Sequence, residues 1–392
     1  MEIRKAAVYG GGYSMRYYDL ILESIGPVHI GSGTEISKKE CLYDINNKKI
    51  YVMDEKKMFK RILALGKQDR FERYLLDSRQ NNLFDFINEN HISPEEYKSW
   101  AAYVLDDDSA VKVKNTRSKG GGSDNVQAFM KDAYGCPYIP GSSLKGALRT
   151  IIQGTLLNDD MAKFKSERND IETSDFNGRT KYLSKTEKSI AQKLFYTLDR
   201  PDAKPNNAVN DCFSGIRVSD SEPLSVSDII LCRKTDVFTD GEEKSLPIKR
   251  ECLRPGTKVR FTLEIDERLF DIDSDELFRC MDRFYDIYAN AYLAAFGADA
   301  SYIPKNGEHI MYLGGGSGYA TKTTVYPMYD VDEEIERSVK TVQKIMVNVT
   351  PLKHKHRFDY EKYEVSPHTL KAAVIGGKRY EMGLCRVDIR RK

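Results

Sequence analysis

A group of hydroxyl and cationic side chains near the middle of the chain could bind phosphate. Its members are Ser142, Ser143, Lys145, Gly146 and Arg149. They follow the turn signal Pro140-Gly141, so the serines can cap a helix start while Lys145 and Arg149, four residues apart, share one face. Free N–H groups at a helix start, hydroxyls and cations together attract anions. An ordinary capped amphipathic helix with solvated cations has the same spacing, and the spacing alone leaves both interpretations open.

The apolar pattern predicts the elements that position these side chains. Residues 137–153 predict an extended lead-in, a tight turn and then a helix. Five apolar residues recur at helical spacing and form one face. They are Leu144, Ala147, Leu148, Ile151 and Ile152. This face would fix the helix to the core and leave the two cations on another side.

Glycine-rich loops and scattered cations offer further contacts, because small residues let main-chain N–H groups approach a phosphate backbone closely. The candidates outside the helix are His29, Gly31, Ser32, Gly33, Arg217, Gly314, Gly315, Gly316, Gly318 and Lys322. A basic segment that contains no acidic residue adds Lys112, Lys114, Arg117 and Lys119, just before Gly120-Gly121-Gly122. Plainer interpretations stay open: a structural turn at 314–318, a solvated linker at 112–122, and a histidine that stabilises its own loop.

Patterns for nucleotide or metal chemistry are missing from the sequence. There is no G-x-x-x-x-G-K-[ST], and residues 319–325 predict a strand where a Rossmann unit needs a helix. His354 and His356 are spaced as a strand pair, with no carboxylate or cysteine at a spacing that suggests zinc, so we assign them to a basic surface. We predict no metal, no cofactor and no catalytic residue.

Composition limits the class of protein. The chain has 392 residues, enough for about two to three domains, and 61 Lys and Arg against 59 Asp and Glu give a formal charge of only +2. Any nucleic-acid surface must therefore be local. No apolar run approaches the about 18 residues of a membrane span, and the seven cysteines form no C-x-x-C pair. These features predict a cytoplasmic protein with reduced thiols.

Helical and strand patterns alternate irregularly, which predicts an α+β fold with antiparallel or mixed sheets. We expect a hairpin at 41–54, helices near 55–66, 68–78, 94–105 and 184–198, strands at 216–220, 229–232 and 258–265, and a helix at 274–296. Asp273 and Glu276 should open that last helix, and Gly297 should end it. The predicted divisions are a leader at 1–17, an N-terminal unit at 18–157, a charged insertion at 158–210 and a C-terminal unit at 211–392.

Several segments resemble the RAMP superfamily of CRISPR systems, and within it the fifth Csm subunit of type III-A effector complexes. The carriers are GPVHIGSG (26–33), YIPGSSLKGALR (138–149), IRVSDSE (216–222), PHTLK (367–371) and YEMGLC (380–385). The resemblance covers most of the chain, and the insertion at 158–210 is its least covered part. It implies two ferredoxin-like, RRM-related units with glycine-rich loops and a helical insertion.

The resemblance also implies a function. Such a subunit would grip the 3′ side of a CRISPR RNA (crRNA) at one end of a filament, support crRNA maturation and antiviral defence, and have no nuclease of its own. Its partners would be the repeated backbone RAMP subunit, the other Csm subunits and, indirectly, target RNA, with no membrane. The chain lacks the [KR]-G-[FY]-[GA]-F-V-x-[FY] stretch of RRM readers, so we expect contacts to the RNA backbone rather than base stacking.

Two alternative functions remain open from the sequence. A metal-independent endoribonuclease that processes precursor crRNA could use His29 as acid or base, with Tyr138, Lys145 and Arg149 completing the site. A scaffold that recruits host nucleases could use the charged insertion at 158–210 as its docking surface. The leading hypothesis is the RNA-binding cap, with Lys145 and Arg149 as its main contacts to guide RNA.

Overall fold

The computed structural model describes residues 15–77, 82–107, 125–174, 183–299 and 302–392. The strands in these ranges are β1 (Met15–Ser24), β2 (Gly31–Ile36), β3 (Cys41–Asp44), β4 (Lys49–Met53), β5 (Ala101–Asp106), β6 (Val126–Phe129), β7 (Ile216–Val218), β8 (Ile229–Val237), β9 (Glu243–Leu253), β10 (Lys258–Asp266), β11 (His309–Tyr312), β12 (Leu370–Ile375), β13 (Lys378–Glu381) and β14 (Leu384–Arg391).

The α-helices in the same ranges are α1 (Glu55–Ala64), α2 (Gln68–Leu76), α3 (Leu83–Glu89), α4 (Pro94–Ser99), α5 (Gly141–Asp159), α6 (Lys165–Thr173), α7 (Ser184–Phe195), α8 (Ser274–Ala291), α9 (Ile335–Val349) and α10 (Asp359–Tyr363). None of them is both long enough and apolar enough to cross a lipid bilayer.

One sheet has five strands, all paired antiparallel, in the order β11-β14-β1-β10-β7. Its central strand β1 alternates, with Tyr18, Leu20 and Leu22 buried between more exposed neighbours. Side chains on alternate positions of a strand point to one face, so these three face the core. Along the chain, β1, α5, β7, β10, α8 and β11 follow the βαββαβ order that is typical of a ferredoxin-like unit. The two ferredoxin-like units themselves stay a prediction.

The other sheet is mixed, in the order β2-β6-β9-β8-β5-β4-β3, with β12 and β13 attached through β8. The pairs β5–β8 and β6–β9 are parallel, and the remaining pairs are antiparallel. The predicted combination of helices with antiparallel and mixed sheets is therefore confirmed. Both sheets take strands from the predicted units 18–157 and 211–392, so the boundaries between those units are not boundaries between sheets. The division itself stays a prediction.

Helices α5 and α8 pack against each other beside the five-stranded sheet. Asp273 caps α8 as the sequence predicts, since its carboxylate accepts a hydrogen bond of 2.9 Å from the Glu276 backbone N–H. Leu144, Leu148, Ile151 and Ile152 of α5 are all buried. The predicted apolar face therefore fixes α5 to the core.

Local predictions were right where the pattern decided the element and wrong where tertiary pairing did. The hairpin is β3–β4, and helices occur at 55–64, 68–76 and 184–195. The helix expected at 94–105 ends at Ser99, because residues 101–106 pair with β4 as strand β5. The strand expected at 319–325 is a series of turns. The first described strand begins at Met15, inside the expected leader, whose residues 1–14 lie outside the described ranges.

The charged segment 158–210 is predicted as an insertion, and part of it lies in the main core. Ile171 of α6 and Ile190, Leu194 and Phe195 of α7 are buried in the same hydrophobic cluster as β1 and α5. The described part of this segment is therefore packed against the fold rather than separate from it.

Candidate nucleic-acid interface

Residues 314–318, which we call the glycine loop, lie against the loop that carries His29. The Gly315 backbone N–H donates a hydrogen bond of 2.7 Å to the His29 carbonyl oxygen. Gly314 has φ of +83°, and a β-carbon there would lie 2.3 Å from that same oxygen. No other residue fits this approach without displacing the backbone. The structure thus brings together two glycine-rich segments that are nearly 300 residues apart in the chain.

His29 is a buried support for this contact. It is 4% exposed, and its Nδ1 lies 2.7 Å from the Glu251 carbonyl oxygen. Burial lowers the pKa of His29, although the hydrogen bond to Glu251 opposes that shift. A β-carbon at Gly31 would lie 3.1 Å from His29 Nε2, so this ring nitrogen faces β2. The environment favours a neutral ring that holds loops in place, which is the plainer of the two interpretations from the sequence.

Glu251 fixes the surroundings of His29. Its side chain is fully buried and accepts hydrogen bonds of 2.7 Å from the Tyr103 hydroxyl and from the Phe129 backbone N–H. Lys131 also forms an ion pair with it. With three donors, the buried Glu251 carboxylate has its hydrogen-bonding capacity filled and is held in one position. These contacts therefore link β9 to β5 and β6.

Several cations lie close to the glycine loop. A β-carbon at Gly316 would lie 3.1 Å from Arg250 Nη1, and one at Gly318 would lie 3.0 Å from Lys371 Cγ. Arg250 Nη1 is buried and has no hydrogen-bond partner within the described chain. Lys322 donates a hydrogen bond to the Gly314 carbonyl oxygen, and desolvation lowers its pKa although the side chain as a whole is exposed. A buried guanidinium nitrogen without a partner is suited to an added anion.

The pKa of Lys234 reflects the positive charge near the glycine loop. Burial lowers its pKa to about 8, and the charges of Lys371 and Arg250 add to that shift while Asp236 opposes it. The like charges of Lys371 and Arg250 therefore lie near the Lys234 amine. Arg250, Lys234 and Lys371 were not among the sequence candidates. The available signal was Lys371 within the otherwise apolar strand β12, whereas Lys234 and Arg250 lie among other polar residues of β8 and β9.

A cavity of about 290 Å³ joins the glycine loop to α5. Ser143, Gly146 and Thr150 line it from α5, Gly314 lines it from the glycine loop, and Lys322 lines it from the turns that follow the loop. Residues three, four and seven apart share one face of a helix. The structure therefore brings together Ser143, Gly146, Gly314 and Lys322, which the sequence analysis had proposed separately.

Lys145 and Arg149 lie on a neighbouring face of α5, by the same periodicity. Lys145 Nζ donates a hydrogen bond of 2.6 Å to the Ile216 carbonyl oxygen. Arg149 forms an ion pair of 2.8 Å with Asp211, and its guanidinium lies 4.2 Å from the centre of the Phe195 ring. The expected face of free cations is thus corrected: both side chains have partners within the chain. Contact of either residue with RNA stays a prediction.

The start of α5 also differs from the expectation. The Gly141 backbone N–H donates a hydrogen bond of 2.8 Å to Asp220 Oδ1, and neither Ser142 nor Ser143 caps the helix. A β-carbon at Gly141 would lie 2.3 Å from the Val218 carbonyl oxygen, so the helix start is pressed against β7. A carboxylate of the chain already lies where the sequence suggested a phosphate, because the tertiary fold brings the end of β7 there.

The remaining sequence candidates fall outside this arrangement. Arg217 is exposed on β7, 3.9 Å from Glu264, and its charge acts on Lys145. Ser32 and Gly33 lie on β2, where the Ser32 hydroxyl is 2.7 Å from Thr34 Oγ1. The basic segment of Lys112, Lys114, Arg117 and Lys119 lies outside the described residues.

The sequence analysis assigned His354 and His356 to a basic surface and found no carboxylate near them, and the structure adds one. Asp359, three residues after His356, lies between His356 and His368, and the ligand atoms of these three side chains are within 4.8 Å of one another. A carboxylate is therefore present where the sequence analysis saw none. The group could hold a metal ion by its donor types.

Comparison with known proteins places the chain in a family. The model of the RAMP superfamily matches residues 21–345. Csm5 of Streptococcus thermophilus is 33% identical over 317 residues, which cover 79% of this chain and 80% of that protein. Csm5 of Mycobacterium tuberculosis (strain CDC 1551 / Oshkosh) is 29% identical over 400 residues, or 96% of this chain and 98% of that protein. Both are described as CRISPR system proteins.

Solved structures share the fold. One chain of the cryo-EM structure of a Csm–crRNA–target RNA ternary complex from a type III-A CRISPR-Cas system matches with a TM-score of 0.61 and 19% identity. The match covers 95% of this chain and 100% of that chain. The crystal structure of T. onnurineus Csm5 matches with a TM-score of 0.58 and 18% identity over 93% of this chain and 99% of that one. The chain therefore belongs to the RAMP superfamily and, within it, to the Csm5 proteins of type III-A CRISPR systems.

Proposed function

We propose that this chain is a non-catalytic crRNA-binding subunit of a type III-A Csm effector complex, which caps the filament at the 3′ end of the crRNA. The observation that carries the proposal is the half-buried glycine loop, which lies beside the cations Arg250 and Lys322. Such a surface binds a ribose-phosphate chain without reading its sequence. The family supports the same function, since a structural relative was determined in a complex of Csm proteins with crRNA and target RNA.

The proposed partners follow from that family. They are crRNA, the repeated backbone RAMP subunit and other Csm subunits, with target RNA contacted through the complex. Support for crRNA maturation and antiviral defence, recruitment of host nucleases and a cytoplasmic location stay predictions. Two ferredoxin-like units also belong to this proposal, and the βαββαβ order of the five-stranded sheet supports one of them.

Binding of guide RNA to purified variants tests the interface. Lys322→Ala and Arg250→Met each remove one cation that lies beside the glycine loop, so each should weaken RNA binding. Each should also lower the slope of log K against log salt by about 0.7, as expected for one phosphate contact on a single strand. Lys340→Ala is the matched control, because Lys340 is an exposed lysine of α9 that pairs with Glu336. Unchanged affinity and slope in folded Lys322→Ala and Arg250→Met would reject this interface.

The endoribonuclease alternative is tested with repeat RNA in the presence of EDTA. His29 is buried beside backbone groups, so its ring nitrogens have little access to a scissile phosphate. We expect intact RNA after incubation with the purified protein. RNA cleavage that disappears in His29→Ala would instead favour the enzyme.

A further inference from the structure

A second basic site lies in the C-terminal segment, around a buried carboxylate. Asp359 is fully buried and accepts hydrogen bonds from His356 Nδ1 at 2.8 Å, His368 Nδ1 at 2.7 Å and the Ser366 hydroxyl at 2.7 Å. Burial by itself raises the pKa of Asp359, but these hydrogen bonds outweigh it and the pKa lies below its usual value. The carboxylate is therefore ionised and keeps both rings protonated at Nδ1.

This arrangement fixes the direction of both imidazoles. Because each Nδ1 faces Asp359, each Nε2 points away from it. The His368 ring is held between Phe238 and Tyr363, whose ring centres are 5.8 and 5.2 Å from its own. The side chains of His356 and His368 are only 9% and 11% exposed. The two rings are thus preorganised groups rather than mobile surface histidines.

The same two rings line a cavity of about 340 Å³ that is rich in cations. The charged and titratable lining groups are Asp236, Lys244, Lys353, His354, Lys355, His356, Lys362, Tyr363, His368 and Lys371. The single acidic group among them, Asp236, already pairs with Lys371 at 2.8 Å. Several cations around a small cavity concentrate positive potential there.

We propose that this cavity binds a phosphate monoester, with the surrounding lysine ammonium groups as its donors. A dianion matches such a cation-rich lining better than the single charge of a phosphodiester. The surrounding lysines also oppose a bound metal cation, although His356, Asp359 and His368 have suitable donor atoms.

The position of the cavity suggests the source of the phosphate. Lys371 lines the cavity, and its side chain also packs against Gly318, so the cavity continues from the glycine loop. This step rests on the proposed function: an RNA strand bound along the glycine loop would place a terminal phosphate in the cavity. A free nucleotide or inorganic phosphate carries the same group.

Calorimetric titration with inorganic phosphate at constant ionic strength tests the cavity without RNA. The full-length protein should bind phosphate saturably. Lys353→Gln/Lys362→Gln changes two exposed lysines of the cavity and should weaken binding by about tenfold or more. Lys340→Ala, an exposed lysine outside the cavity, should not. Phosphate affinity that is equal in all three proteins would overturn the proposal.

Oligonucleotides distinguish the sources and separate this proposal from the function above. RNAs of one sequence with a 3′-phosphate, a 5′-phosphate or only hydroxyl ends are compared, with AMP as the free nucleotide. We expect either the 3′-phosphate RNA or the 5′-phosphate RNA to bind about tenfold more tightly than the RNA with hydroxyl ends. Lys353→Gln/Lys362→Gln should abolish that preference. Tight binding of all three RNAs without preference would reject the terminal phosphate and leave the crRNA function intact. Stoichiometric zinc in the purified protein, lost in Asp359→Asn, would replace the proposal with a metal centre.

Discussion

Arg149 forms an ion pair with Asp211, and its guanidinium lies over the rings of Phe195 and Phe213. The ion pair is partly buried, with the two side chains 27% and 20% exposed. A guanidinium over aromatic rings stabilises a fold more than an exposed ion pair does. The contacts therefore give Arg149 a structural role that competes with the predicted RNA contact.

Replacement of Arg149 separates these two roles. Arg149→Ala should lower the free energy of unfolding by about 1–2 kcal/mol, measured by urea denaturation, because it removes the ion pair and the ring contacts. Guide-RNA affinity and its salt slope should fall in the folded variant only if Arg149 also contacts RNA, as the sequence predicts. Arg217→Ala is the control, since Arg217 is exposed, and it should change stability by less than about 0.5 kcal/mol. A lower salt slope at unchanged stability would restore Arg149 as an RNA contact.

Lys234 predicts a pH dependence of RNA binding. Its pKa of about 8 means that the amine is charged at pH 7 and largely neutral at pH 9. Guide-RNA affinity should therefore fall between these pH values, and Lys234→Arg should reduce the fall because arginine stays charged. Lys340→Arg should leave the wild-type profile unchanged. An identical decline in wild type and Lys234→Arg would show that Lys234 does not face the ligand.

The same shift has the opposite effect on folding. The folded pKa of Lys234 lies below that of an unfolded lysine, so the unfolded chain binds more protons between the two values. The contribution of Lys234 to the free energy of unfolding should accordingly rise as the pH increases above about 8. Urea denaturation of wild type and Lys234→Met across this range measures it, since the variant lacks the titrating amine.

At the scale of elements, the glycine loop depends on how closely its backbone approaches the His29 segment. The loop is not part of a strand or helix, yet one hydrogen bond to His29 fixes it beside the strands that carry Arg250 and Lys371. Helix α5 supplies the other wall through Ser143 and Gly146. The interface therefore depends on the relative positions of the glycine loop, these strands and α5.

Gly314→Ala tests the close approach. The substitution places a β-carbon against the His29 carbonyl oxygen and also strains a residue of positive φ. Gly307→Ala is matched, because Gly307 has φ of +80° but nothing within 4 Å of the added carbon. Gly307→Ala should cost about 1–2 kcal/mol of unfolding free energy, and Gly314→Ala at least about 2 kcal/mol more. Equal losses in thermal or urea denaturation would show that the contact is not tight.

At the scale of the whole molecule, the first and last described strands pair in one sheet. Strand β1 pairs with β10 over residues 258–266 on one side and with β14 over residues 385–391 on the other. Helix α5 packs against α8, which lies in the predicted C-terminal unit. Neither predicted unit contains all the strands of a sheet, so the two units should depend on each other for stability.

Expression of fragments tests that dependence. Residues 1–157 alone should lack a cooperative unfolding transition, because β1 would lose both neighbouring strands and α5 would expose its apolar face. Co-expression with residues 158–392 should recover a soluble pair that is purified together. An independently folded fragment 1–157 with a cooperative transition would instead support the predicted boundary as a true domain boundary.

The sequence by itself determined the helices and strands whose apolar residues repeat at the right period, the family, and the glycine-rich segments that meet in the interface. Local spacing could do this because periodicity depends only on neighbouring residues. Only the tertiary structure decided which polar groups are available. The partners of Lys145, Arg149 and the start of α5 come from Ile216, Asp211 and Asp220, and Asp359 joins His356 to His368. Such pairings depend on distances in space, and the spacing of residues along the chain does not predict those distances.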